Sequence, residues 1–199
     1  LNVDELSHKL DVQKLGMSWL IKTFQEISSV PPSFDSSSQE IIGAGLEAYD
    51  GSAGRPLINS ATLDRLDTLD LVIQNNTGVI VTAAGAEGMP QDAKERVDNV
   101  NKVIEVALRK GISLEDMYVD CIVFPISVSS ENGIHYLDAV REIRKRYGQQ
   151  IHITGGLSNV SFGLPARKLI NDTFIHLSLD AGINRVVPAP SSTLPESSR

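Results

Sequence analysis

Short apolar runs alternate with longer amphipathic runs along this chain of 199 residues. Apolar side chains spaced three or four residues apart predict helices, and short apolar runs between turn residues predict strands. This pattern predicts seven strands and six helices that follow one another in alternation. The predicted strands are 1–3, 30–34, 56–58, 78–81, 117–123, 151–154 and 183–187, and the predicted helices are 12–27, 40–46, 63–73, 90–110, 136–147 and 166–179.

Several helix ends carry their own signals. Ser37 followed three residues later by Glu40 predicts a capping box at the start of the second helix. Gly111, Gly148 and Gly182 follow apolar-periodic runs and predict helix C-termini, where glycine takes a left-handed conformation without strain.

The alternation of strands and helices requires a mainly parallel sheet, which leaves an open doubly wound sheet or a barrel. The chain contains neither G-x-G-x-x-G nor a P-loop, and polar residues follow nearly every predicted strand. That distribution favours a (β/α)8 TIM barrel, whose site draws on many strand ends. Because an intact barrel takes about 250 residues, we expect one lacking the first β/α unit and the last helix. We assign the barrel domain to 1–188 and expect the Pro/Ser-rich tail 189–199 to be disordered.

Charge and composition exclude several classes of function. A net charge of −7, from 18 Lys+Arg against 25 Asp+Glu, argues against nucleic acid or an anionic membrane as a partner. Cys121 is the single cysteine, so the chain has no internal disulfide and fits a reducing compartment. The sequence shows no apolar run long enough for a membrane span and no signal peptide. A cytoplasmic protein is therefore expected.

The most informative motif is the sequence GGLSNVS at 155–161, between a predicted strand and a predicted helix. Its Asn159 lies on a strand-to-helix loop, where barrel enzymes place their chemistry. An amide donates and accepts hydrogen bonds at pH 7 without carrying charge. Such a group suits a neutral heterocycle better than a phosphate or a metal.

Three more polar residues fall where predicted strands end: Asp35, Asn59 and Asp120. Asp35 and Asn59 could each be an ordinary turn residue, although nearby hydroxyls are able to cap the following helices instead. Asp120 is the least turn-like, because a carboxylate within an apolar run is costly unless it is paired or hydrogen-bonded. Its burial would raise its pKa. Arg167 is either a solvated charge at a helix start or a group that binds an anionic substrate tail.

Other catalytic arrangements are missing from the sequence. The four histidines show no metal-ligand spacing such as H-E-x-x-H, so a protein-bound metal is not expected. Cys121 has no basic neighbour to activate it and is interpreted as an inert core thiol. No G-x-S-x-G elbow is present to anchor a hydrolase triad.

Taken together, these segments resemble the pterin-binding methyltransferases, over essentially the whole chain. The segments that carry the resemblance are Asn2-Val3, Phe34-Asp35-Ser36, Leu57-Ile58-Asn59-Ser60, Val119-Asp120 and Gly156-Leu157-Ser158-Asn159-Val160-Ser161. This family includes methyltetrahydrofolate:corrinoid protein methyltransferases, the folate module of cobalamin-dependent methionine synthase and relatives that serve glycine betaine demethylation. The resemblance implies a (β/α)8 barrel.

The resemblance also implies roles for particular residues. Asp35, Asn59 and Asp120 would hydrogen-bond the pterin ring, and Asn159 would reach N5, which carries the methyl group. Asn2 would line the same pocket, and Ser158 belongs to the motif that forms it. The implied substrate is methyltetrahydrofolate or tetrahydrofolate. Cobalamin would be carried by a separate corrinoid protein, with methyl transfer possible in either direction.

The sequence departs from the family in ways that keep alternatives open. The first strand and helix of the family have no counterpart, and Phe162 stands where some relatives carry a polar contact. A barrel with a gap exposes two strand edges, which would favour a homodimer. The alternatives are a dihydropteroate-synthase-like enzyme, although the lysine- and arginine-bearing motif of that enzyme is missing, and a truncated pterin-binding fragment without turnover.

Overall fold

The computed structural model describes residues 1–185, in which helices alternate with strands of one parallel sheet. The alternation predicted from the sequence is confirmed for the middle of the chain. The strands are β1 (Ser33–Asp35), β2 (Leu57–Ala61), β3 (Gly78–Thr82), β4 (Met117–Asp120) and β5 (His152–Thr154). The helices are α1 (Leu10–Ile27), α2 (Gln39–Ala48), α3 (Thr68–Asn75), α4 (Ala93–Arg109), α5 (Glu131–Tyr147) and α6 (Arg167–Ala181).

The five strands lie side by side in chain order, each parallel to the next. Sequential parallel strands joined by helices are the arrangement from which a (β/α)8 barrel is built. Alternate residues of each strand point to opposite faces of the sheet. One set is fully buried and packs into the core with the helices, whereas the other set is only partly buried. The buried set includes Phe34, Ile58, Val79, Val119 and Ile153.

Two predicted strands, at the ends of the chain, are not strands in the described residues. Residues 1–3 form no strand, although the Leu1 carbonyl accepts from the Asp35 N–H at 2.9 Å beside β1. At the other edge, the Arg185 N–H donates to the Ile153 carbonyl at 3.1 Å, but 183–185 form no strand. A few contacts at each edge replace the repeated ladder that defines a strand. Residues 186–187 of that predicted strand and the tail 189–199 lie outside the described residues.

One face of α1 packs against the core while large apolar side chains remain on the other face. Leu15 and Trp19 are 72% and 67% exposed, whereas Met17 and Ile21 of the same helix are fully buried. The helix predicted over 12–27 is confirmed as α1, which begins two residues earlier.

Glycines follow the ends of three helices as predicted, but the predicted capping box at the start of the second helix is wrong. Gly111, Gly148 and Gly182 have φ values of +88°, +62° and +120° at the ends of α4, α5 and α6. The start of α2 instead has Ser38 as its N-cap, without a side-chain capping bond. Ser37 is held elsewhere, because its N–H donates to an oxygen of Asp4 at 3.1 Å.

The close approach of α2 to α1 and β1 depends on Gly45. A Cβ at this position would stand 2.6 Å from Phe34 Cδ1 and 3.0 Å from Met17 Cγ. Replacing Gly45 with alanine should lower the free energy of unfolding by about 1–2 kcal/mol through overpacking. Urea denaturation would measure the change.

Gly43 provides the matched control, because it lies in the same helix and a Cβ there would meet nothing within 4 Å. Gly43→Ala should raise the free energy of unfolding by about 0.5–1 kcal/mol, since alanine is the better helix former. Equal changes at both positions would contradict the packing argument.

In the described residues, no helix is both long and apolar enough to cross a membrane.

Candidate active site

Three predicted site residues lie on one face of the sheet, near the carboxyl ends of their strands. Asp35 pairs with Asn59 across β1 and β2, and Asp120 is the last residue of β4. The register continues from Asn59 through Ile80 to Tyr118, two residues before Asp120. Because side chains alternate along strands, all three project from the partly buried face. That is the face that lines the inside of a barrel.

Two boundary predictions at these residues are corrected by the structure. Asn59 lies within β2, which continues to Ala61, rather than after the strand. β4 ends at Asp120, so residues 121–123 belong to the following loop and not to the predicted strand. The apolar character of 121–123 reflects burial of that loop, since Cys121 and Val123 belong to the core.

Asp120 has an unusual environment for a carboxylate. Its Oδ1 accepts a hydrogen bond of 2.8 Å from the Ile122 N–H. Burial raises the pKa of Asp120 from 3.8 to about 6, and the Ile122 hydrogen bond opposes that rise. A carboxyl group with such a pKa changes charge close to neutral pH. The expectation that burial raises this pKa is confirmed.

Asn159 lies in a short 3-10 helix, Leu157–Ser161, one loop beyond β5. Two glycines bring it toward Asp120. A Cβ on Gly155 would stand 3.2 Å from Asp120 Oδ1, and a Cβ on Gly156 would stand 3.2 Å from Asn159 Nδ2. The glycine pair therefore lets both polar side chains lie directly against the same stretch of backbone.

The candidate site residues differ in whether their side chains hydrogen-bond to other residues of the protein. Within residues 1–185, Asp35, Asn59 and Asn159 make no side-chain hydrogen bond, and each is partly exposed. Polar groups in such positions remain able to bind a ligand, because no internal partner competes for them. The carboxylate of Asp120 uses one oxygen for Ile122 and keeps capacity on the other.

The remaining predicted site residues are held by contacts within the protein. Arg167 donates to the Ser158 carbonyl at 3.1 Å and to Ser161 Oγ at 3.0 Å, with its guanidinium 4.5 Å from the ring centre of Phe162. It thereby braces the loop that carries Asn159. The Asn2 side chain is exposed and accepts from the Asp4 N–H at 2.8 Å.

Two further residues support the site and were missed from the sequence. Asp4 Oδ1 accepts from Ser36 Oγ at 2.6 Å and so holds the loop after Asp35. Arg65 donates to the Ser36 carbonyl and to Ser60 Oγ, both at 3.3 Å, and so links the ends of β1 and β2. No spacing signal could have found them, because their partners are distant in sequence or are backbone atoms.

The single cysteine lies in the core. Cys121 is fully buried, and burial raises the pKa of its thiol well above the usual range. Across residues 1–185, no group of three or more His, Cys, Asp or Glu side chains could hold a metal ion. The polar groups at the strand ends offer hydrogen-bond donors and acceptors along one edge of the sheet.

Comparison with known proteins assigns the chain to a family. Residues 4–187 match the family described as "Pterin binding enzyme", so the chain belongs to the pterin-binding enzymes. The family resemblance inferred from the sequence is thereby confirmed.

The relatives divide between two named activities. The chain is 29% identical over 184 residues to the methionine synthase of Mycobacterium leprae, covering 85% of this chain and 15% of that protein. It is 28% identical over 188 residues to the methylcorrinoid:tetrahydrofolate methyltransferase of Eubacterium limosum, covering 92% of this chain and 68% of that protein. The chain thus spans a small part of the first relative and about two thirds of the second.

A solved structure extends the likeness to the fold. Dihydropteroate synthase from Xanthomonas albilineans superposes with a TM-score of 0.65 at 18% identity, over 85% of this chain and 63% of that one. Similarity at this identity concerns architecture only. The predicted barrel-type α/β fold is confirmed, since such structures are TIM barrels.

Proposed function

We propose that the parent protein moves a methyl group between N5 of methyltetrahydrofolate and the cobalt of a corrinoid protein. The observation that carries this proposal is the set of polar side chains without internal partners at the carboxyl end of the sheet. Asp35, Asn59 and Asn159 are available there beside the carboxylate of Asp120. The named relatives and the pterin-binding family support the same substrate class.

Each side chain has a part in binding the ring. The reduced pterin carries N–H donors along one edge, which the carboxylates of Asp35 and Asp120 would accept, with Asn59 completing that edge. Charge-assisted hydrogen bonds of this kind are stronger than neutral ones. Arg65 and Asp4 keep the acceptors in place by fixing the loop after β1 and linking it to the end of β2.

Asn159 is the residue we assign to the chemistry. When the N5–CH3 bond breaks, its electron pair stays on N5, which must gain a proton or a strong hydrogen bond to leave. An amide placed at N5 stabilises the transition state more than the bound substrate, and so raises the rate. Reduced cobalt, held by a partner corrinoid protein, supplies the nucleophile.

Calorimetric titration of methyltetrahydrofolate into the chain tests the proposal directly. Binding followed by a change in the cobalt spectrum on addition of reduced cobalamin would support methyl transfer. Binding without a spectral change would indicate a pterin-binding chain without turnover. Condensation of a pterin with an aminobenzoate would instead identify a dihydropteroate-synthase-like enzyme, and no folate binding would overturn the proposal.

Folate affinity should depend on pH because of Asp120. Because its pKa is about 6, the Asp120 carboxylate is mostly ionised at pH 7 and mostly protonated at pH 5. The protonated group can no longer accept two donors, so the affinity should fall about tenfold between pH 7 and pH 5. Calorimetry in buffers from pH 5 to pH 8 would measure this.

The same titration on Asp120→Asn provides the control. An amide does not ionise, so any pH dependence that remains belongs to the ligand or to other groups. Identical pH profiles for both proteins would show that Asp120 does not contact the pterin.

A further inference from the structure

Arg96 is the most deeply buried charged side chain in the described residues. It projects from α4 and is 0% exposed. Its partners are backbone oxygens rather than carboxylates, because Nε donates to the Cys121 carbonyl at 3.1 Å and Nη1 donates to the Asp92 carbonyl at 2.9 Å. Burying a cation is costly, and burial lowers the pKa of Arg96 although the charges of Asp92 and Glu95 partly oppose that change.

The loop held by Arg96 begins directly after Asp120. Arg96 Nε lies 3.4 Å from the Ile122 carbonyl as well, so the guanidinium contacts two successive carbonyls of this loop. Its plane also lies over Phe124, with 4.9 Å between the guanidinium carbon and the ring centre. Arg96 therefore fixes residues 121–124 from one side.

Ile122 has a backbone conformation that needs such support. Its φ of +59° lies in the left-handed region, where a β-branched side chain is strained. The N–H of the same residue donates to Asp120 Oδ1 at 2.8 Å. Strained backbone persists only where the surroundings hold it in place.

We propose that Arg96 is a positioning residue for the pterin site: it holds the carbonyls of Cys121 and Ile122 so that the Ile122 N–H faces the Asp120 carboxylate. Arg96 does not touch the ligand and acts through the strained turn. The consequence for folate binding rests on the proposed function, but the turn itself does not. Other groups facing Asp120 are the Tyr136 hydroxyl from α5 and the neighbouring Cys121 thiol, and burial raises the pKa of both so that they stay neutral.

The test replaces Arg96 with methionine, which keeps an apolar stem but offers no donor. In amide NMR spectra recorded from pH 4 to pH 8, the Ile122 signal of the unsubstituted chain should move as Asp120 ionises. In Arg96→Met, that movement should fall by more than half, and the Asp120 midpoint should rise above about 6 because the carboxylate loses a hydrogen bond. An Ile122 signal that moves as far as before would overturn the proposal.

Two further variants separate this role from general effects. Arg96→Lys keeps the positive charge but lacks the planar guanidinium whose Nε contacts both carbonyls, so the Ile122 movement should fall in it too. Full retention in the lysine variant would mean that only charge matters and would contradict positioning. Arg141→Met removes an exposed arginine paired with Asp138 and should leave the Ile122 movement unchanged.

The experiment keeps the two proposals distinguishable because the NMR measurement needs no ligand. Methyltetrahydrofolate is titrated in parallel into the same proteins at pH 7. If the unsubstituted chain fails to bind folate while the Ile122 signal behaves as expected, the proposed function fails and the positioning role stands. If folate binds and Arg96→Met changes neither the Ile122 signal nor the affinity, the positioning role fails alone.

Discussion

Replacing Asn159 with alanine should lower the rate of methyl transfer about 100-fold, while folate affinity changes by less than about threefold. The difference follows from where the amide acts. No other described residue engages its side chain, so alanine removes no internal hydrogen bond and leaves the turn of Leu157–Ser161 to its backbone contacts. What is lost is the interaction with N5, which becomes strong only as the methyl group leaves.

Single-turnover kinetics with reduced cobalamin, together with calorimetry, would measure the two quantities. Asn75→Ala is the matched control, because Asn75 is an exposed amide in the last turn of α3, at the opposite end of the sheet. It should leave both quantities unchanged. Equal losses of rate and affinity in Asn159→Ala would show that the residue only orients the ring.

Replacing Asp120 with asparagine should weaken folate binding about 30-fold or more and yet make the fold more stable. The loss of affinity reflects the charge-assisted hydrogen bonds to the pterin, worth about 2–3 kcal/mol. The gain in stability follows from the pKa of Asp120, which burial raises from 3.8 to about 6. A raised carboxyl pKa stabilises the fold at low pH and loses that contribution as pH rises through about 6. At pH 7 the ionised group therefore destabilises the protein.

Urea denaturation at two pH values would check the stability half of this prediction. The free energy of unfolding of Asp120→Asn should exceed that of the unsubstituted chain by about 1–2 kcal/mol at pH 7. The difference between the two proteins should vanish near pH 4. Asp138→Asn, in an exposed ion pair on α5, should show no such pattern. A variant that loses stability and affinity together would indicate that Asp120 is structural.

The sequence predicted correctly those features of the fold that depend on residues close together in the chain. The order of helices and strands followed from periodicity, and the ends of α4, α5 and α6 followed from glycine. The errors arose where distant contacts decide. Ser37 was expected to cap α2, but its N–H is held by Asp4 from the start of the chain. Contacts with distant residues also decide which face of α1 is buried, since Met17 is fully buried while Leu15 and Trp19 are largely exposed.

Some residues of the candidate site could be recognised in the sequence, whereas others depend on tertiary contacts. Asp35, Asn59, Asp120 and Asn159 stand out in the sequence because they are polar residues beside apolar strands, and the register brings the first three onto one face. The sequence could not show that Arg167 braces a loop through the Ser158 carbonyl and Ser161. Nor could it show Arg96, whose role depends on backbone oxygens from a different element.

By itself, the sequence determined the class of this protein: alternating elements, a parallel sheet, and neutral or acidic side chains suited to a pterin. Those properties arise from residue type and spacing, which act over a few residues. The tertiary structure alone decided which polar groups are available and which are consumed internally. It also set the charge state of Asp120, because burial and the Ile122 N–H depend on parts of the chain brought together only by folding.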